Sequence, residues 1–190
     1  MVLPVKAHAD TIKLTEYKLI HIDRVDSESK TGYGYRLQYY VPAPIDAFWL
    51  FKTNFDSDML LTNDLIIGHR LVKTANNSVI TENRYATAPG MRFLWQTTVI
   101  PGRYRLEFKL LNAEDCRHEF HYGSIQLSPA GNHTKVTQIA FFNFRGASLW
   151  VKYPWYGGMK DTLTKVSRWE QKMALRFNQS YMVAMRDQRW

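Results

Sequence analysis

Residues 33–51 read Tyr-Gly-Tyr-Arg-Leu-Gln-Tyr-Tyr-Val-Pro-Ala-Pro-Ile-Asp-Ala-Phe-Trp-Leu-Phe. Within this stretch the hydrophobic period changes from two to about 3.6. Tyr33, Tyr35, Leu37, Tyr39 and Val41 share one face of a strand. Pro42 and Pro44 end it, and Pro44 suits the first turn of a helix, where its missing N–H costs nothing. Residues 45–51 then read as a short helix carrying Ile45, Phe48, Trp49 and Phe51, and residues 54–65 as a second short helix or irregular segment.

Upstream, residues 11–25 alternate partly and make a weaker strand candidate, followed by a polar turn. Residues 1–30 are therefore assigned to an N-terminal extension, a leader plus an extra strand, and residues 31–190 to the main domain. Downstream the chain reads as a meander, with strands expected over residues 68–74, 78–87, 93–100, 104–111, 117–127 and 135–144. Asn76-Asn77, Pro89-Gly90, Pro101-Gly102 and Pro129-Ala130-Gly131-Asn132 supply the turns. Tyr104, Leu106, Phe108 and Leu110 alternate with Arg103, Arg105, Glu107 and Lys109, so that strand has one buried and one wet face. Glu82 and Arg84 share a face, as do Arg105 and Glu107, and cross-strand ion pairing explains both.

The C-terminal segment returns to helical period. Leu163, Val166, Glu170, Met173, Ala174, Phe177, Tyr181 and Ala184 fall within an arc of roughly 100°. Asp161, Lys165, Arg168, Lys172 and Asn178 lie opposite. A helix of roughly 25 residues follows, about 37 Å long and able to cross a whole sheet. The expected fold is α+β: a curved antiparallel sheet of six to seven strands around a long C-terminal helix, with two short helices after the first core strand.

Composition bounds the rest. The chain has 190 residues, 45% hydrophobic and 14% aromatic, which fits one folded domain and excludes disorder. Cys116 is the single cysteine, so no intramolecular disulfide forms, and its turn-like setting suggests a surface or structural thiol. The net charge of +8 is dispersed, without the Lys/Arg runs of a nucleic-acid binder, so no nucleic-acid partner is expected. Weak attraction to an anionic membrane surface is the minority reading of the basic set Lys160, Lys165, Arg168, Lys172 and Arg176. No apolar run reaches the roughly 18 residues of a membrane span. Ala7-His8-Ala9 has the form of a signal-peptidase site but lacks a charged and an apolar region before it. A soluble protein is expected, cytoplasmic if Met1 is the true start and periplasmic or secreted if Ala9 ends a leader. Monomer and homodimer both stay open.

Tyr39-Tyr40-Val41-Pro42-Ala43-Pro44-Ile45-Asp46-Ala47-Phe48-Trp49 resembles the strand-to-helix entry of the START/Bet v1-like (SRPBCC) superfamily, the polyketide cyclase/dehydrase and lipid-transport group. The match lies at Val41, Ala43, Pro44 and Ile45, with Phe48 and Trp49 at the apolar end, and the order of elements agrees over residues 33–185. The resemblance implies a helix-grip fold with a hydrophobic cavity between sheet and long helix. It also implies a lipid, isoprenoid or aromatic ligand, or a minority role as a cyclase or aromatase. It supplies no catalytic motif, so the catalytic residues are unknown.

Glu170 is the sharpest local feature, a carboxylate near the centre of an apolar stripe, where an unpaired charge is costly. It is read either as a cavity-wall group or as one paired with sheet side chains. The cavity candidates are Glu170, Met173, Phe177 and Val166 on the helix, and Trp95, Arg84, Tyr85, Phe108, Tyr122 and Phe142 on the strands. Trp150, Trp155 and Tyr156, before the long helix, are candidates for the cavity mouth or a packed plug. His118 and His121, three apart on a strand, point to opposite faces, which argues against joint metal ligation. There is no phosphate loop and no nucleophile or metalloprotease motif, and neither metal nor cofactor is expected. The first reading is a binder or carrier of a hydrophobic small molecule. A polyketide cyclase/aromatase-like enzyme using Glu170 with Arg84, Tyr85 or His121, and a protein-interaction module of the same fold, are the alternatives.

Overall fold

The computed structural model describes residues 19–26, 32–62, 64–145 and 158–187. Among them eight strands form one antiparallel sheet: β1 (His21–Val25), β2 (Tyr33–Val41), β3 (Ile66–Ala75), β4 (Ser78–Tyr85), β5 (Ala88–Ile100), β6 (Arg105–Leu110), β7 (His118–Ala130) and β8 (His133–Phe144). The spatial order is β1-β2-β8-β7-β6-β5-β4-β3. From β4 onward each strand lies beside its predecessor, as hairpin-linked strands do. The link from β2 to β3 carries the chain to the far edge. It contains α1 (Ile45–Thr53) and, as the second short helix, a 3-10 helix (Asp58–Thr62).

The sheet has eight strands rather than six or seven because β1 pairs along β2 (Ile22 with Leu37, Val25 with Gly34). Gly34 permits the approach, since a Cβ there would lie 2.5 Å from the Val25 carbonyl oxygen. Turn chemistry sets two further boundaries. Tyr85 pairs with Ala88, so the hairpin closes at Ala86-Thr87 and Pro89-Gly90 falls inside β5. Residues 89–92 have no ladder partner on β4, which is where a strand tolerates proline. Gly131-Asn132 alone turns β7 into β8, with Gly131 at φ 61° and Pro129 still paired with Thr134. Asn76 turns the β3–β4 hairpin at φ 51°.

The 30-residue α2 (Gly158–Asp187), about 45 Å long, packs against α1 and β2. Leu37, Tyr39, Val41, Ala43, Phe48 and Ala174 form the centre of the core at this junction. The corner between β2 and α1 leaves carbonyls free of the sheet, and side chains take them up. Gln171 donates to Tyr40 O (2.9 Å), Asn178 to Pro42 O (3.3 Å) and Thr134 to Ala43 O (2.8 Å). Tyr104 leaves the β6 alternation at φ 48° and packs edge-on against Trp49, donating its hydroxyl to Asp46. No helix among the described residues is long and apolar enough to cross a membrane.

Candidate functional site

Close packing of α2 on β2 and α1 fills one end of the concave sheet, and the remainder encloses a cavity of about 1140 Å³. Aromatic side chains make much of the wall: Tyr35, Phe93, Trp95, Phe108, Phe142 and Phe144 from the sheet, with Trp169 from α2. Phe55, Met59, Leu60 and Leu65 of the link from β2 to β3 line it from another side. Asn54, Thr87, Pro89, Gly90 and Arg117 are its exposed lining residues, so the cavity reaches the surface beside the β4–β5 hairpin.

Val166, Glu170, Trp95, Tyr85, Phe108 and Phe142 all lie on this wall. The other four candidates among the described residues lie elsewhere. Met173 is buried, with its sulfur against the Thr62 hydroxyl, and Phe177 packs on Phe51. Tyr122 is on the outer face, stacked on Phe141, because its neighbour His121 takes the inward position and adjacent strand residues face opposite ways. Arg84 is exposed at the β4 irregularity. It lies across the bare backbone of Gly68, in a shallow outer depression with Arg70, Glu82 and Arg92. Glu82 pairs across the strands with Arg70 (2.8 Å), which holds its carboxyl below the usual range. Trp150, Trp155 and Tyr156 lie outside the described residues.

Glu170 is paired. Tyr39 donates to its Oε2 (2.5 Å) and Lys52 of α1 to its Oε1 (2.7 Å), with the Glu170 and Lys52 side chains only 7% and 14% exposed. Burial, then the Glu170 charge, raises the Tyr39 hydroxyl well above its ordinary pKa, so it stays a donor. Lys52 and Glu170 both touch the cavity.

A second polar group sits on β7, and here the sequence expectation is corrected. The β7–β8 register slips between His118 and Phe120, where Glu119 is the extra residue of a β-bulge. The slip reverses the parity, so His118 and His121 both face the cavity and their rings stack at 5.5 Å. His118 Nδ1 donates to Cys116 O (2.7 Å). His121 lies among the rings of Trp95 (4.8 Å), Phe142 (5.2 Å) and Phe108 (6.2 Å). Burial, then His118, lowers His121 to about 3, so it is a neutral imidazole at ordinary pH. Beyond Trp95, Tyr85 Oη accepts from Trp95 Nε1 (3.1 Å) and Asn83 Nδ2 (3.4 Å), while Asn83 also contacts His69, which reaches Phe55 O (2.9 Å). Cys116, expected as a surface or structural thiol, is the structural one: it is buried, bonded to Arg92 O, and raised to about 11 by burial. Among the described residues no three His, Cys, Asp or Glu side chains converge as a metal site would require.

No protein-family model matches the sequence, and neither does any curated protein. Solved structures do match. TTHA0849 from Thermus thermophilus superposes with a TM-score of 0.64 at 13% identity, over 75% of this chain and 97% of that one. The Zhui aromatase/cyclase from Streptomyces sp. R1128 gives 0.58 at 13% identity, over 82% and 95%. Norcoclaurine synthase from Thalictrum flavum gives 0.55 at 12%, over 79% and 98%.

The chain has the Bet v1-like, helix-grip fold.

Within this helix grip the two polar groups are well separated. Tyr39, beside Glu170, pairs with Val136 of β8, whereas His121 pairs with Phe142. Six residues of strand put these positions about 20 Å apart.

Proposed function

We propose that the protein binds a hydrophobic small molecule, a lipid, isoprenoid or aromatic compound, inside the helix-grip cavity. The observation that carries this reading is the cavity itself: about 1140 Å³, walled mainly by aromatic and aliphatic side chains, and open at a rim of exposed residues. Ligand pockets typically span roughly 300–1,000 Å³ with a few placed polar groups, and this one lies just above that range. The exposed basic residues Lys160, Lys165, Arg168, Lys172 and Arg176 support weak attraction of α2 to an anionic membrane during loading. An interaction module of the same fold would be expected to have a collapsed interior, which the open cavity argues against.

One observation favours a second reading, an enzyme acting on a polyketide-like substrate. The lining is not purely apolar, since Glu170, Tyr85 and His121 all reach it. Arg84, outside the cavity, has no part in that reading.

Native mass spectrometry of the purified protein, with organic extraction of bound material, tests the binding reading. Co-purifying apolar molecules are expected, along with a rise in melting temperature with ligand concentration. Empty protein whose melting temperature no member of an apolar panel shifts would refute it.

A further inference from the structure

Buried polar groups are almost always hydrogen-bonded. His121 is a partly buried group on the cavity wall, and a ring nitrogen left without a protein partner there is open to a ligand. Its imidazole is enclosed by the rings of Trp95, Phe108, Phe142 and His118, and among the described residues it has ring contacts but no hydrogen bond. The His118 Nδ1–H beside it is taken up by Cys116 O, and the Trp95 N–H by Tyr85, so neither of these donors is left for the His121 nitrogens. The Glu119 bulge that turns this pair inward costs the sheet a regular ladder position. A core that needed only filling would not place an unsatisfied imidazole there.

Resting on the binding reading above, we infer that His121 is the recognition point for an aromatic ligand carrying a hydroxyl group, which donates to the unprotonated ring nitrogen. The surroundings select both parts of that ligand. Ring edges and faces on several sides suit a flat aromatic body, because edge-to-face contacts add to area burial. The imidazole supplies the acceptor, and a hydroxyl is the simplest donor that satisfies it without bringing a charge into an apolar site. An ether or plain hydrocarbon of the same shape would leave the nitrogen unpaired and so bind more weakly.

The test compares 2-naphthol with 2-methoxynaphthalene, which keeps the ring system and blocks the donor. Wild-type protein is expected to prefer 2-naphthol about tenfold, the scale of one buried hydrogen bond, and His121→Phe to bring the ratio to about one. In ¹⁵N spectra of the wild type, 2-naphthol and not the ether should shift the unprotonated His121 nitrogen, which decides the matter even if the variant does not fold. Equal affinities in the wild type, a preference that survives in His121→Phe, or an unmoved ¹⁵N resonance with 2-naphthol bound would overturn this inference and leave the cavity reading standing. Failure of both probes to bind wild-type protein would overturn this inference, while the apolar panel above decides the cavity reading.

Discussion

Glu170 joins two side chains that would otherwise be stranded. Its carboxylate answers a buried lysine and a buried tyrosine hydroxyl, so removing it leaves an uncompensated charge at Lys52. Breaking such a pair from one side costs about 3–5 kcal/mol, whereas replacing both charges with apolar groups is often nearly neutral. Glu170→Ala is accordingly expected to lose about 3 kcal/mol in urea unfolding, and Lys52→Met with Glu170→Leu to recover most of it. Equal losses in the single and double variants would count against a buried pair. His121 makes a different prediction, in pH. Its folded pKa of about 3 lies below the ordinary 6.5, so the unfolded chain takes up a proton that the folded chain refuses. The stability it contributes is complete above pH 6.5 and falls by about 1.4 kcal/mol per pH unit as pH drops toward 3. At about pH 5 the loss reaches about 2 kcal/mol, and His121→Phe should flatten this part of the profile. His118, also lowered by burial, leaves a smaller slope in the variant.

The elements show where a one-dimensional reading succeeds and where it stops. Alternation predicts the inward faces of β2 and β6, because Leu37, Tyr39, Leu106 and Leu110 are buried in an uninterrupted ladder. It fails at His118 and His121 because the Glu119 bulge is visible only in the pairing of β7 with β8. Pro89-Gly90 has the composition of a turn, yet the hairpin closes before it, at Ala86-Thr87. The apolar stripe of α2 marks Glu170 as anomalous, but its lysine partner comes from α1, and no helical period brings residues 52 and 170 together. Gly123 is a further element-scale feature without a sequence signal. A Cβ there would collide with the Ile139 carbonyl oxygen and lie 2.6 Å from the Phe108 ring. Gly123→Ala is expected to cost about 2–3 kcal/mol through overpacking. Calorimetry should register this as a drop of roughly 5–10 °C in melting temperature.

At the scale of the whole molecule, the sheet and α2 are packed at one end and apart at the other, and the unfilled volume is the functional claim. Ala140 lies on that wall between Tyr35 and Gly123, nearly buried and small. Ala140→Phe would put a ring into the cavity, and ligand affinity should fall at least about tenfold if binding is internal. The direct measurement is a titration with the neutral fluorophore N-phenyl-1-naphthylamine, read by energy transfer from the protein's tryptophans, in wild type and Ala140→Phe. Internal binding predicts saturable one-site uptake by the wild type, largely lost in a folded Ala140→Phe. No saturable uptake, or uptake unchanged by the filled cavity, would contradict it.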